Sequence, residues 1–345
     1  MLQANFGCRP SKIETTDLRY GHLYQAEALD LPKSFLLPEA SDNSDILDQG
    51  NWPFCPGFGG AGLINRDEGR GITPFSGASP LFIYANAKKL DGEPDVPGTQ
   101  PKIVMQVLQN MGACLANTFP MSLMVPGADP TKLPVIPATA IAEAKKYVIL
   151  NYAQALSVDD IKAAIWLKRA PVVIGHWVFQ GWQDGDVGPD GCITVPKAGE
   201  RSLGLHCTIY SGWDDELSHS WPDGRRATGF LRLINSWGTS WAQKGRAWAS
   251  YEFNNAKTSE GIPYLMEAWG STAKVLLPQG ANHLIVWIGK KTAIVDGQEV
   301  QLDEAAEIDP EVGRTLVPIR FIAENLDYDV SFDAHEKRID LVKRQ

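Results

Sequence analysis

The chain has 345 residues, of which 44% are hydrophobic and 21% charged, enough to bury a full core and to exclude disordered, collagen-like and coiled-coil architectures. At this length two domains are the expectation. The 32 Lys and Arg against 41 Asp and Glu leave a net charge of −9, which opposes a polyanionic partner, so no nucleic acid is expected. Charges, Pro and Gly interrupt every apolar run, so no membrane span is expected either. The opening residues Met1 to Pro10 lack the basic and apolar regions of a secretory leader. Localisation therefore stays open between a chain that remains inside and one whose leader has been removed. Five scattered cysteines, Cys8, Cys55, Cys114, Cys192 and Cys207, show no disulfide or zinc spacing. Each is core filler or reactive thiol, and Cys8, Cys114 and Cys192 are assigned to the core.

In chain order, residues 1–48 read as an extended surface lead-in punctuated by proline. A helix beginning at Pro56 follows. Its glycines at 57, 59, 60 and 62 each cost about 1 kcal/mol relative to Ala, so it needs close packing against other backbone. Apolar residues at three- and four-residue steps predict helices over Pro80–Leu90 and Pro101–Met111. Ser157 and Asp160 form a capping box for a helix through Arg169, and Pro171 turns the chain into a buried strand over Val172–Val178. Strands are expected over Leu203–Trp213, Gly229–Asn235 and Arg246–Phe253.

Near residue 275 the texture changes to short alternating segments, His283–Ile288, Lys291–Val295 and Glu299–Leu302. A helix over Val317–Leu326 and strands over Asp329–Phe332 and Arg338–Val342 complete a small unit. The fold class is α+β: a helical half and a β half over 1–275, then a small α+β domain of antiparallel strands with one helix over 276–345. Neither part offers a basic face.

Gln49 stands six residues before Cys55, and Cys55 opens the proposed helix, whose positive end favours a thiolate. The Cys55 amide and the Gln49 carboxamide are placed to donate to one oxyanion. A thiol nucleophile needs an imidazole, and His206, inside the β-rich run Leu203–Trp213, is the leading base. Asn235 begins the run Asn-Ser-Trp-Gly-Thr-Ser-Trp ending at Trp241. His176, next to Gly175, is a rival base more in keeping with a buried strand position.

These motifs, in this order, resemble the papain-like (C1-type) cysteine peptidases over residues 30 to 270. The resemblance implies a two-lobe fold. Cys55 is then the nucleophile, His206 the base and then the acid, Asn235 the residue orienting the imidazole, and Gln49 part of the oxyanion hole. Trp237 would cover the hydrogen bond between His206 and Asn235. Gly98, Gly175 and Cys207 would border the substrate groove, as the weakest assignments. No metal or cofactor is required.

The chain departs from the family at Trp52-Pro53-Phe54, where Cys-Gly-Ser is usual, and at Pro56, where Trp is usual. Too little chain precedes Gln49 for the usual inhibitory propeptide, so activation by its removal is not expected. From about residue 283, Val295-Asp-Gly-Gln-Glu-Val-Gln-Leu-Asp303 and Gly313-Arg-Thr-Leu-Val-Pro-Ile-Arg-Phe-Ile-Ala-Glu324 resemble the copper amine oxidase N-terminal-like (stalk) domain. With only His283 and His335 it has no convincing ligand set for copper, and the resemblance implies a spacer or adhesion module touching the cell envelope or another protein. Arg314 and Arg320 are structural within it.

The reading is therefore a hydrolase, a thiol protease acting on protein or peptide substrates through a Cys-His-Asn triad and an acyl-thioester, from a bacterial or phage source. Two other readings stand beside it: a transpeptidase or amidase acting on cell-wall peptides, and an inactive peptidase fold used for binding or assembly.

Overall fold

The glycine-rich helix expected around residue 56 forms as Cys55–Asn65, and its neighbours explain how it tolerates four glycines. A Cβ on Gly57 would meet the Pro80 carbonyl oxygen at 2.5 Å, one on Gly59 the Cys207 Sγ at 2.8 Å, and one on Gly60 the Val104 Cγ1 at 2.6 Å. Three neighbours thus approach to backbone distance, and the propensity cost of glycine is offset by packing.

This computed structural model describes residues 6–15, 17–23, 29–67, 77–188 and 190–272. Beyond them it describes the short stretches 284–286, 290–295, 298–302, 305, 307–308, 315–316, 328–333 and 338–343. Two compact units divide the chain, Met1–Ala273 and Lys274–Gln345.

In the first unit, α1 (Tyr20–Leu23) and β1 (Ser34–Leu36) precede α2 (Cys55–Asn65), α3 (Pro80–Leu90), α4 (Pro101–Asn110) and α5 (Ala138–Ala144). Ser79 caps α3, its Oγ accepting from the Phe82 amide at 3.0 Å. Then come β2 (Asn151–Gln154), α6 (Val158–Lys168), β3 (Val172–Phe179), α7 (Gly181–Asp184), β4 (Cys192–Ile193) and β5 (Ser202–Ser220). The Ser157 Oγ accepts from the Asp160 amide at 3.0 Å, and Arg169 closes α6 in the left-handed region at φ 55°. The unit ends with β6 (Arg226–Ile234), β7 (Arg246–Ser250), α8 (Tyr251–Asn255) and β8 (Leu265–Thr272).

Eight strands form one sheet, seven of them in the order β2-β8-β3-β5-β6-β7-β4 and the eighth, β1, paired with β5. The β4–β7 pair is parallel and the other strand pairs of this sheet are antiparallel, so the unit is α+β with a mixed sheet. The strand expected through Phe253 stops at Ser250, because the Ser250 Oγ accepts from the Phe253 amide at 3.1 Å and caps α8 instead. The main core lies between α2, α4 and the sheet, with Ile83, Val104, Met105, Val173 and Ile209 fully or nearly fully buried.

The second unit contains the antiparallel meander β9 (Leu284–Val286), β10 (Thr292–Val295) and β11 (Gln298–Gln301). Two pairs follow, β12 (Glu307–Ile308) with β13 (Thr315–Leu316), and β14 (Tyr328–Asp333) with β15 (Arg338–Lys343). The helix expected over Val317–Leu326, and His283, His335, Arg314 and Arg320, lie outside the described residues. No helix among the described residues is long and apolar enough to cross a membrane.

Candidate active site

Cys55 is the first residue of α2 and is fully buried. His206 comes from β5, and Asn235 is the first residue after β6. The His206 Nε2 and the Asn235 Oδ1 lie 2.8 Å apart, and the same oxygen accepts from the Ser236 amide at 2.8 Å. That leaves the His206 Nδ1 buried and without a hydrogen-bond partner among the described residues. Trp237 stacks on the imidazole with ring centroids 4.9 Å apart and planes at 27°.

Gln49 is tied to the same loop. Its amide donates to the Ser236 carbonyl at 2.8 Å, its Oε1 accepts from the Ser236 Oγ at 2.7 Å, and its Nε2 donates to the Trp52 carbonyl at 2.8 Å. The bridge between Asp48 and Trp237 completes this docking. The rival base His176 is spoken for: its Nε2 lies 3.0 Å from the Thr208 Oγ1, and its ring stacks on Trp182 at 5.0 Å.

The lead-in does not run over the surface as the sequence reading expected. Its segment 6–12 crosses the face of the site, with glycine at its point of closest approach. The Gly7 amide donates to the Cys55 Sγ at 3.3 Å. The Thr99 amide donates to the Gly7 carbonyl at 2.9 Å, and the Arg9 amide to the Thr99 carbonyl at 2.9 Å, so Cys8 bridges Thr99 in parallel. Phe6 packs edge-on against His206 at 5.9 Å and Trp237 at 6.2 Å. A Cβ on Gly7 would strike the Pro53 carbonyl oxygen at 1.9 Å, so nothing larger than glycine seats there.

Two of the three weaker assignments touch this strap and the third lies beside one of them. Gly98, at φ +86°, backs onto Gly7, where a Cβ would meet the Gly7 carbonyl oxygen at 2.5 Å. Gly175 lies under Cys8, whose Sγ stands 3.2 Å from where a Gly175 Cβ would be. Cys207 is opposite Gly175 across β3 and β5. Cys8 is buried core, as its sequence context suggests, and the part of the core it joins with Cys55 and Cys207 lines this cleft.

Sequence reasoning also missed Glu267, which is opposite Gly175 on β8 and buried. Its Oε1 accepts from the Ser11 amide at 2.9 Å and its Oε2 from the Trp269 Nε1 at 2.6 Å. No local pattern marks it; only the sheet register brings it to the groove.

Burial sets the protonation states. It pushes the Cys55 thiol up to about 12, against the lowering pull of the Cys207, Gly7 and Cys8 amides. Burial pushes His206 down to about 4, with Asn235 acting in the opposite direction. His176 falls to about 3, through burial first and then the neighbouring His206. With the strap seated, burial thus favours the neutral form of both Cys55 and His206.

Beside the strap, a cavity of about 600 Å³ is lined by Phe6, Trp52, Pro53, Pro97, Pro126 and Pro130. The Trp52-Pro53-Phe54 departure thus builds a wall: Trp52 stacks on Phe54 at 5.4 Å, and Phe54 lies 4.1 Å from Tyr84. Among the described residues no group of His, Cys, Asp and Glu is arranged to hold a metal ion.

Comparison with known proteins places the fold. The chain is similar to the structure of xylellain, a cysteine protease from Xylella fastidiosa, at 23% identity, TM-score 0.58, over 79% of this chain and 97% of that one. A procathepsin B from Trypanosoma congolense matches at 17% identity, TM-score 0.52, over 77% of this chain and 86% of the other. The first unit has the papain-like fold. In sequence, a peptidase C1-like protein of Acanthamoeba polyphaga mimivirus is 26% identical over 178 residues, 48% of this chain. The chain matches about half (51%) of that relative's length. Residues 259–341 match the family described as the copper amine oxidase N-terminal domain. That match begins before β8, which belongs to the first unit's sheet.

Proposed function

We propose that this chain is a cysteine peptidase. One observation carries the reading: a stretch of ordinary peptide already lies in the groove, bonded along its backbone to Thr99 and touching the Cys55 sulfur through an amide. The groove therefore fits a peptide main chain, with a thiol against it and an Asn-oriented imidazole beside it.

With the strap displaced, water reaches the site and the burial that holds Cys55 and His206 neutral is relieved. The Cys55 proton passes to the His206 Nδ1, and the helix terminus favours the thiolate. The sulfur attacks the substrate carbonyl carbon. The oxyanion accepts from the Cys55 amide and the Gln49 carboxamide. As the tetrahedral adduct collapses, the C–N bond breaks and His206 gives its proton to the leaving amine. His206 then takes a proton from water, which adds to the thioester and releases the acid and the free thiol. Asn235 and Trp237 keep the imidazole in place throughout, one by hydrogen bond and the other by covering it.

The pocket now filled by Cys8 sets a preference. When the strap leaves, Glu267 loses its Ser11 donor and becomes a carboxylate on the pocket wall with one oxygen to satisfy. Gly175 adds no side chain of its own to that wall, and a lysine or arginine of the substrate would pair with the freed Glu267 oxygen. The residues from about 276 onward we take as a spacer or adhesion domain.

The test is hydrolysis of a peptide library by wild type, Gly7→Ala, Cys55→Ala and His206→Ala proteins. Cleavage that is lost in the last two supports the reading, and product masses with an added amine separate hydrolysis from transfer. No cleavage by folded Gly7→Ala protein would overturn it.

A further inference from the structure

Three thiols share one corner of the core: Cys55 on α2, Cys207 on β5 and Cys8 on the strap. Cys207 points at Gly59, one turn below Cys55, while Cys8 sits over Gly175 directly across the sheet from Cys207. Cys8 is the next residue after the glycine whose amide touches the Cys55 sulfur at 3.3 Å. The mechanism above uses Cys55 alone and leaves Cys8 without a task.

We infer that Cys8 and Cys55 form a reversible disulfide that fastens the strap over the nucleophile. The inference rests on the reading of Cys55 as a reactive thiol and adds its regulation. Its oxidant is a low-molecular-weight disulfide of the glutathione type.

The reaction starts with the strap lifted, because the seated strap leaves Cys55 fully buried. The Cys55 thiolate attacks one sulfur of the small disulfide, forming a mixed disulfide and expelling one thiolate, which takes up the proton held by His206. The strap returns, and the Cys8 thiol attacks the Cys55 sulfur. The bond to the small thiol breaks, and it leaves with the Cys8 proton. Two cysteine thiols and one disulfide have become one internal disulfide and two small thiols. Cys8 is favoured as the second attacker because it is tethered and its segment has a docking site beside Cys55, which raises its effective concentration. Cys207 has no such freedom, being fixed within a central strand.

Noncovalent closure and covalent closure differ in what opens them. Hydrogen bonds of the strap to Thr99 and Glu267 are lost by simple opening. A disulfide between Cys8 and Cys55 also requires a reductant.

The experiment treats the full chain with glutathione disulfide, then maps cysteines by mass spectrometry without reduction. Wild type, Cys8→Ser and Cys207→Ser are compared. The expected result is a linked pair of peptides containing Cys8 and Cys55 in wild type and Cys207→Ser. Cys8→Ser should instead stop at a glutathione adduct on Cys55. Added dithiothreitol should restore alkylation of wild-type Cys55 by iodoacetamide. Two results overturn the inference: a stable glutathione adduct on wild-type Cys55 with no internal link, or a link from Cys8 to Cys207. If iodoacetamide labels reduced Cys55 readily while no Cys8–Cys55 link forms, the disulfide fails but the reactive-thiol reading survives. If Cys55 is inert even in reduced Gly7→Ala protein, both fail.

Discussion

Two pieces of the same lead-in are held to the first unit by opposite means. Residues 6–12 lie in the groove mainly on backbone hydrogen bonds, with an ion pair, Arg9 to Glu93, between partly exposed side chains. Residues 33–49 are pinned by buried charge. Asp45 accepts from the Arg66 Nη2 at 2.9 Å and from the Arg246 Nη2 at 2.6 Å, and Glu39 pairs with Arg232 at 2.8 Å and Arg246 at 3.2 Å. β1 adds sheet pairing to β5. Breaking a buried, hydrogen-bonded charge pair is costly, whereas a backbone bond exchanged for water costs little net. The second piece cradles Gln49, and the first is the one that the proposed mechanism requires to leave.

The largest effect should come from the cradle. Asp45→Ala strands the buried Arg66 and leaves the buried Arg246 with Glu39 as its one carboxylate, and is expected to cost roughly 3–5 kcal/mol, read as a lowered urea midpoint with loss of thiol reactivity. The strap should respond in the opposite sense. Gly7→Ala puts a Cβ against the Pro53 carbonyl oxygen and disfavours seating by about 1–3 kcal/mol. Cys55 alkylation should then speed up by about tenfold or more, with the urea midpoint little changed. An unchanged alkylation rate in that variant would erase the distinction between the two pieces.

Glu267→Gln keeps the shape of the pocket and removes its charge. Selectivity for substrates with lysine or arginine over their neutral analogues should fall about tenfold, the value of one charge-assisted hydrogen bond, as measured by competing peptides.

The most gradual effect is on pH. His176 and His206 have folded pKa values near 3 and 4, below an ordinary histidine. The unfolded chain therefore binds more protons below about pH 6.5, so the stability they contribute is complete above that pH. It is lost as pH falls toward 4, by up to about 1.4 kcal/mol per unit for each histidine. Glu267, raised by burial, has the opposite sign, contributing below its ordinary pKa and losing that contribution as pH rises through the raised value. Urea midpoints at pH 7, 6 and 5 should fall, and His176→Phe should flatten the slope by about half.

The residues proposed for the chemistry were legible because each sits in a local pattern: Gln49 ahead of Cys55, His206 within a β-run, and Asn235 opening a Trp-Gly turn. α2, α3, α4 and α6 were legible from periodicity and their Pro or Ser starts. β8 was not, since Leu-Met-Glu-Ala-Trp-Gly-Ser-Thr has few β-branched residues, yet it lies in the sheet between β2 and β3. The strap was hidden for a different reason. Its contacts join Gly7 to residues 55 and 99, and Ser11 to residue 267, and no window of sequence contains such pairs. Glu267 shares that cause.

Gly59 resting on Cys207 has a mechanical consequence. Cys207 is the covalent neighbour of His206, and Gly59 lies one turn from Cys55, so a single contact sets the height of the sulfur relative to the imidazole. On the helix side no side chain stands at that joint, and the Cys207 sulfur and Val173 Cγ1 close it from the sheet side. The two reacting groups share one datum, and a methyl group added there would misalign them more than many larger changes on the rim.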